Sequence, residues 1–259
     1  MNINNVIRDF KDYVDEYLNA EEKNSDSHKN LLRKYNHSLR VMDLAKSIAI
    51  DLGLNGELLE FVQVVGLFHD IGRFEQWKRY HTFQDSKSVD HADYSVFVLK
   101  NNHLIDKYIK DEKLKNISYK AIKYHNKYKV PSNFSKETKQ ICNIIREADK
   151  IDLLNIISSK ERVVNIGEDA FSEKIMNTIR NKKLILLSDR TTKADFLASN
   201  LAFIFDMNYV ESFKLLKEKN YINTIIDVYM EMTNNEELKR QLEESRKIIS
   251  EEIEEKIQC

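Results

Sequence analysis

Residues 61–74 read FVQVVGLFHDIGRF. Within this stretch Val62, Val65 and Gly66 precede His69 at helical spacing, so His69 falls on the inward face of a helix. The pattern predicts a helix from about Gly56 to Ile71, stopped by Gly72. Neighbouring residues on a helix point about 100° apart. His69 and Asp70 therefore reach a common point only beside a helix end, and a metal ion in a cleft satisfies that geometry. Imidazole and carboxylate are its natural ligands. An adjacent His and Asp are common by chance, so the weight must come from the rest of the chain.

Upstream, a short amphipathic helix carries Val6, Phe10, Tyr13, Val14 and Tyr17, and a long one runs from about Ser27 to Leu52, closed by Gly53. Downstream, residues 73–89 show no clear period and read as a polar loop with the aromatic anchors Trp77, Tyr80 and Phe83. Asp90 is placed to cap a helix from His91 to about Lys100. Further helices are expected near 103–111, 116–127, 135–160 and 168–181. LILLSD, residues 184–189, is ambiguous between an extended stretch and a helix end. Residues 191–257 read as further helices with breaks near 206–208, 220 and 233–235. Their inner stripe is Phe196, Leu197, Leu201, Ile204 and Phe205, then Phe213, Leu215, Leu216, Ile222, Ile225 and Ile226.

The 259 residues hold one Pro and five Gly, far below the average usage of about 5% and about 7%. Sandwiches, barrels and propellers need many turns built from those residues, so the fold is expected to be all-α. Residues 1–190 are expected to form the metal-centred core, and residues 191–259 a helical C-terminal extension packed on it. Only the last helix, from about Glu236, is dominated by charge; it is the candidate for weak packing or for homodimer formation.

Net charge is −1, which gives no support to general nucleic-acid binding. At 42% hydrophobic residues the chain is too apolar for disorder. No apolar run is long enough to span a membrane, and the acidic N-terminus is unlike a signal peptide. Cys142 and Cys259 are far apart and indicate no disulfide framework, so a cytoplasmic location is expected. There is no Walker loop, dinucleotide fingerprint or nucleophile elbow.

Of the seven histidines, His28, His81 and His103 lie in polar surroundings. His37 shares an inward stripe with Val41, Leu44 and Ile48; His125 follows Ala121 and Ile122; His91 opens a helix. Asp149 follows Ile141 and Ile145 inward, with Asp152 one turn on as the second candidate. A buried carboxylate is costly unless paired or metal-bound. The order is then His37, His69-Asp70, His91, His125, Asp149, about one ligand per helix, converging on a bundle centre.

The order H…HD…D, carried by HSLRV, LFHDIGRF, DSKSVDHADYS, KAIKYHNKY and IREADKIDLL over about residues 27–160, resembles the HD-domain superfamily of metal-dependent phosphohydrolases. The added His91 and His125 resemble its six-ligand, two-metal subset. The resemblance implies an HD helical bundle in which His37, His69, Asp70 and Asp149 hold one ion. Asp70 bridges, and His91 and His125 hold a second. It implies two divalent transition ions, drawn from Fe, Mn, Co or Zn, and a metal-activated hydroxide that cleaves a phosphoester or phosphoanhydride. The substrate would be a nucleotide or another small phosphorylated molecule. Two of the superfamily's subfamily signatures are missing. Arg73 stands where a Glu shortly after the HD pair would be, and Pro131 follows Val130 rather than completing a Gly-Tyr-Pro.

Asp70, Arg73 and Lys150 are the candidate catalytic residues. Positive charge for substrate phosphates is available at Arg73, Lys78, Arg79, Lys87 and Lys150. Two alternatives stay open: a mixed-valent di-iron oxygenase, which a branch of the superfamily builds on a similar ligand set, and a non-catalytic metal-binding helical module.

Overall fold

A computed structural model describes residues 2–159, 166–167 and 169–258. The described residues contain helices, turns and extended connections, and no strand. The expected all-α class is what the chain adopts. Two compact units emerge, Met1–Asp149 and Lys150–Cys259.

In the first unit, α1 (Ile3–Leu18) buries Val6, Phe10 and Val14, and Asn2 caps it by accepting from the Asn4 amide. α2 (Asp26–Asp51) starts at Ser25, whose side chain accepts from the His28 amide, and ends before Gly53, whose φ of 75° is left-handed. α3 (Gly56–Phe68) is buried on every side from Phe61 to Phe68 and forms the centre of the unit. α2 and α3 approach closely at Gly66. A Cβ there would lie 3.1 Å from the Met42 Cα and 3.3 Å from the Ala45 Cβ.

The chain departs from expectation immediately after α3. The helix ends at Phe68, a turn earlier than its apolar pattern suggests, and His69 and Asp70 sit in the turn that follows. Gly72 opens a helix instead of closing one. The segment read as a polar loop is α4 (Gly72–Tyr80), followed by a 3₁₀ turn at Asp85–Lys87. Its helical periodicity is masked by charge. Phe74 and Gln76 are buried, Trp77 is half-buried, Arg79 pairs with Glu75 one turn back, and His81 ends the helix in a left-handed conformation. Gly72 is needed for contact with α5 (His91–Asn101): a Cβ would lie 2.5 Å from the Ser95 backbone nitrogen, and the Gly72 amide donates to Ser95 Oγ.

α5 is capped by Asp90, as its sequence predicts. The helix expected at 103–111 is absent. Residues 103–108 form turns that start from a left-handed His103, and Asp111 then caps α6 (Glu112–Tyr124). α7 (Lys136–Ser158) brings Ile141, Cys142, Ile144, Ile145 and Ala148 into the core and delivers Asp149.

The second unit contains α8 (Glu173–Arg180), α9 (Lys193–Leu201), α10 (Val210–Lys219), α11 (Tyr221–Met232) and α12 (Glu236–Gln258). Residues 184–186 are extended and lead into a 3₁₀ turn at Leu187–Asp189. Residues 171–180 pack here with the C-terminal helices: the Phe171 amide donates to Gln241 Oε1, and Arg180 pairs with Glu244. α12 is not a loosely packed charged helix. Leu238, Leu242, Ser245, Ile249 and Ile253 form a buried stripe, and α12 packs on α8, α10 and α11. Phe196 is a further correction. Ala194, Leu197, Ala198 and Leu201 take the inner face of α9, which leaves Phe196 54% exposed under the Arg190 guanidinium. Cys259 and the start of the segment predicted helical from 168 lie outside the described residues.

Candidate metal centre

Six polar side chains meet in the core of the first unit. His37 comes from α2, His69 and Asp70 from the turn after α3, and His91 from the start of α5. His125 comes from the end of α6 and Asp149 from α7. His37, His69, Asp70, His91 and His125 are all buried. His37 Nε2 lies 3.2 Å from His69 Nε2 and 3.2 Å from Asp149 Oδ1. His91 Nε2 lies 3.0 Å from His125 Nε2. Asp70 stands between the two pairs. Its Oδ2 is 3.7 Å from His37 Nε2 and 4.0 Å from His69 Nε2, and its Oδ1 is 3.6 Å from His91 Nε2 and 3.8 Å from His125 Nε2.

Three overlapping trios have ligand atoms within 4.8 Å of one another: His37, His69 and Asp70; His69, His125 and Asp149; Asp70, His91 and His125. Asp152, the second candidate on α7, belongs to none of them.

The protonation pattern shows what these atoms need. His69 Nδ1 is 2.7 Å from the Gly66 carbonyl and His125 Nδ1 is 2.7 Å from the Ile122 carbonyl, so each Nδ1 must donate. His91 Nδ1 donates to Asp85 Oδ2. All three Nε2 atoms therefore point lone pairs into the cluster. Two lone pairs about 3 Å apart repel unless a cation or proton sits among them. Asp70 Oδ1, buried and without a hydrogen-bond partner among the described residues, faces the same space. These donors fit a divalent transition ion, with Nδ1 of each ring already held by an outer partner.

The electrostatics agree. Burial alone would raise the pKa of Asp70, but Lys34, His69, Arg73 and His91 hold it well below the usual carboxylate range. Asp149 is likewise lowered against its burial, by hydrogen bonds from His37 and His69. Burial, followed by the neighbouring His91 and His69, pushes the His125 imidazole down to about 3, so it is neutral at ordinary pH.

The predicted cationic residues fall into two groups. Arg73 is near the cluster, with Nε 3.6 Å from Asp70 Oδ1. Its Nη1 is committed to Asp85 Oδ1, Gln76 Oε1 and the Phe83 carbonyl. The others lie elsewhere. Lys78 is over the Tyr17 ring, Arg79 is bound to Glu75, and Lys87 is exposed on its 3₁₀ turn. Lys150 belongs to the second unit, where its ammonium pairs with Asp206.

Three contributors do not stand out in the sequence. Lys34 Nζ donates to Asp70 Oδ2 at 2.9 Å; its position one turn before His37 on α2 is the only local sign. Asp85 orients both His91 and Arg73 from a segment that carries no periodic signal. Arg146, buried on α7 one turn before Asp149, donates to the carbonyls of Tyr124, His125, Lys127 and Tyr128 and so fixes the end of α6 that carries His125.

The first unit is a helical bundle with a buried histidine–carboxylate cluster that could hold metal. Residues 35–154 match the HD domain family model, which is consistent with the HD-domain superfamily of metal-dependent phosphohydrolases. Comparison with curated proteins and with solved structures finds no significant match.

Proposed function

We propose that the chain is a phosphohydrolase that cleaves a phosphoester or phosphoanhydride of a small phosphorylated substrate, with nucleotides the first class to test. The observation that carries this reading is the placement of Asp70. Its two oxygens face two separate histidine pairs, as a carboxylate shared between two ions would. Divalent ions held by His37, His69, Asp70, His91, His125 and Asp149 would lower the pKa of water towards neutrality and offset charge on phosphoryl oxygens.

The chain's own part is positional. The Gly66 and Ile122 carbonyls and Asp85 fix the rings of His69, His125 and His91. Arg73 acts through Asp85, sharing that carboxylate with His91.

The test is a panel of nucleotides and phosphoesters given to zinc-loaded and to iron-loaded protein, each with and without oxygen. Phosphate release at equal rates with and without oxygen supports hydrolysis. Turnover that consumes oxygen and needs iron transfers the assignment to the oxygenase.

A further inference from the structure

Two cations border the cluster, and they are held differently. The Arg73 side chain is 12% exposed and its Nη1 is tied to three acceptors. Lys34 is 21% exposed, and its ammonium has one hydrogen-bond acceptor among the described residues, Asp70 Oδ2. That oxygen is the one turned toward His37 and His69, so the ammonium and a divalent ion there compete for one ligand atom. The Phe83 ring lies 5.6 Å from Lys34 Nζ and offers its face to the cation without binding it as a carboxylate would. Lysine is a point charge on a flexible four-carbon stem, able to swing where the Arg73 fork is fixed.

Building on the reading of this cluster as a metal-dependent phosphohydrolase site, we infer that Lys34 has two roles. In the metal-free protein it neutralises Asp70 in place of the missing cation. In the metal-loaded protein, where Asp70 no longer needs it, its ammonium is repelled from the cluster and becomes the donor to a substrate phosphoryl oxygen. The ligand class is therefore a phosphate group bound next to the His37–His69 side of the cluster, and the residue that meets it is Lys34 rather than Arg73.

The experiment compares wild type, Lys34→Met and Lys34→Arg as full-length chains. Each is stripped with chelator, titrated with Mn²⁺, and then, saturated with Mn²⁺, titrated with inorganic phosphate by calorimetry. Lys34→Met should bind Mn²⁺ about three- to tenfold more tightly, because a competing like charge is gone. It should bind phosphate about tenfold or more weakly, and Lys34→Arg should keep phosphate affinity within about threefold.

Weaker Mn²⁺ binding with unchanged phosphate affinity in Lys34→Met would overturn the inference and make Lys34 a mere support for Asp70. If neither affinity changes, Lys34 has no role. Should Lys34→Met fail to fold, Lys34→Gln is read by the same criteria. Because neither readout needs turnover, wild type that binds Mn²⁺ and phosphate yet hydrolyses no phosphoester sinks the hydrolase alone. Wild type that binds no Mn²⁺ overturns both.

Discussion

His69 and His125 reach the cluster by the same device: each ring gives its Nδ1 proton to the carbonyl three residues back and aims Nε2 forward. Such a ligand tolerates no substitute of different shape. His69→Ala is expected to lose bound metal and to lower activity by about three orders of magnitude or more, with circular dichroism unchanged. Asp85→Asn keeps size but weakens the hold on His91; metal affinity should fall about 10- to 100-fold, with the loss confined to the His91–His125 part of the cluster. A titration showing equal loss at every bound equivalent would refute that assignment. Away from the site, burial pushes the Cys142 thiol up to about 12. It should stay protonated and unreactive toward thiol reagents at pH 8 in the native protein and react only on unfolding.

The six candidate ligands stand out in the sequence for different reasons: His37, His125 and Asp149 follow inward apolar residues, His91 opens a helix, and His69-Asp70 is an adjacent pair after an apolar run. Lys34, Asp85 and Arg146 do not, because what they do depends on partners 36, 6 and 21 residues away, where local periodicity carries no information.

At the scale of the element, the break between α3 and α4 decides the site. Had α3 continued to Ile71, as its apolar run predicts, His69 and Asp70 would diverge around a helix. The helix stops at Phe68, and the turn lets both face the cluster. Just beyond the turn, Gly72 lies against the α5 backbone at Ser95 with no room for a Cβ. Gly72→Ala should therefore destabilise the protein by about 1–3 kcal/mol, measured by denaturant unfolding, and should shift the His69–Asp70 turn enough to weaken metal binding. An unchanged midpoint would show that α4 and α5 can separate without cost. In α4 the sequence hides its own helical period. Arg73, Glu75, Lys78 and Arg79 dilute its apolar face, and its stability comes from Phe74, Gln76 and the Glu75–Arg79 pair once packed. In α12 the charged majority similarly hid a five-residue buried stripe.

Across the whole molecule, one Pro and five Gly sufficed to indicate helices, and far-UV circular dichroism should show a helical spectrum with no measurable strand. The order of His37, His69-Asp70, His91, His125 and Asp149 points to the HD-type segment, and residues 35–154 match the HD domain model. The substrate is not legible in the sequence: of the five cations proposed to meet a phosphate, Lys78 lies over Tyr17, Arg79 is bound to Glu75, Lys87 is exposed on its 3₁₀ turn and Lys150 belongs to the second unit.

The central claim is that the buried cluster is a two-ion centre. Its most direct test is an equilibrium titration of chelator-stripped, full-length protein with Mn²⁺ or Zn²⁺, read as equivalents bound per chain. About two tightly bound equivalents are expected, falling to about one or none in His69→Ala. Wild type that takes up no metal, or takes up as much as His69→Ala, would contradict the account.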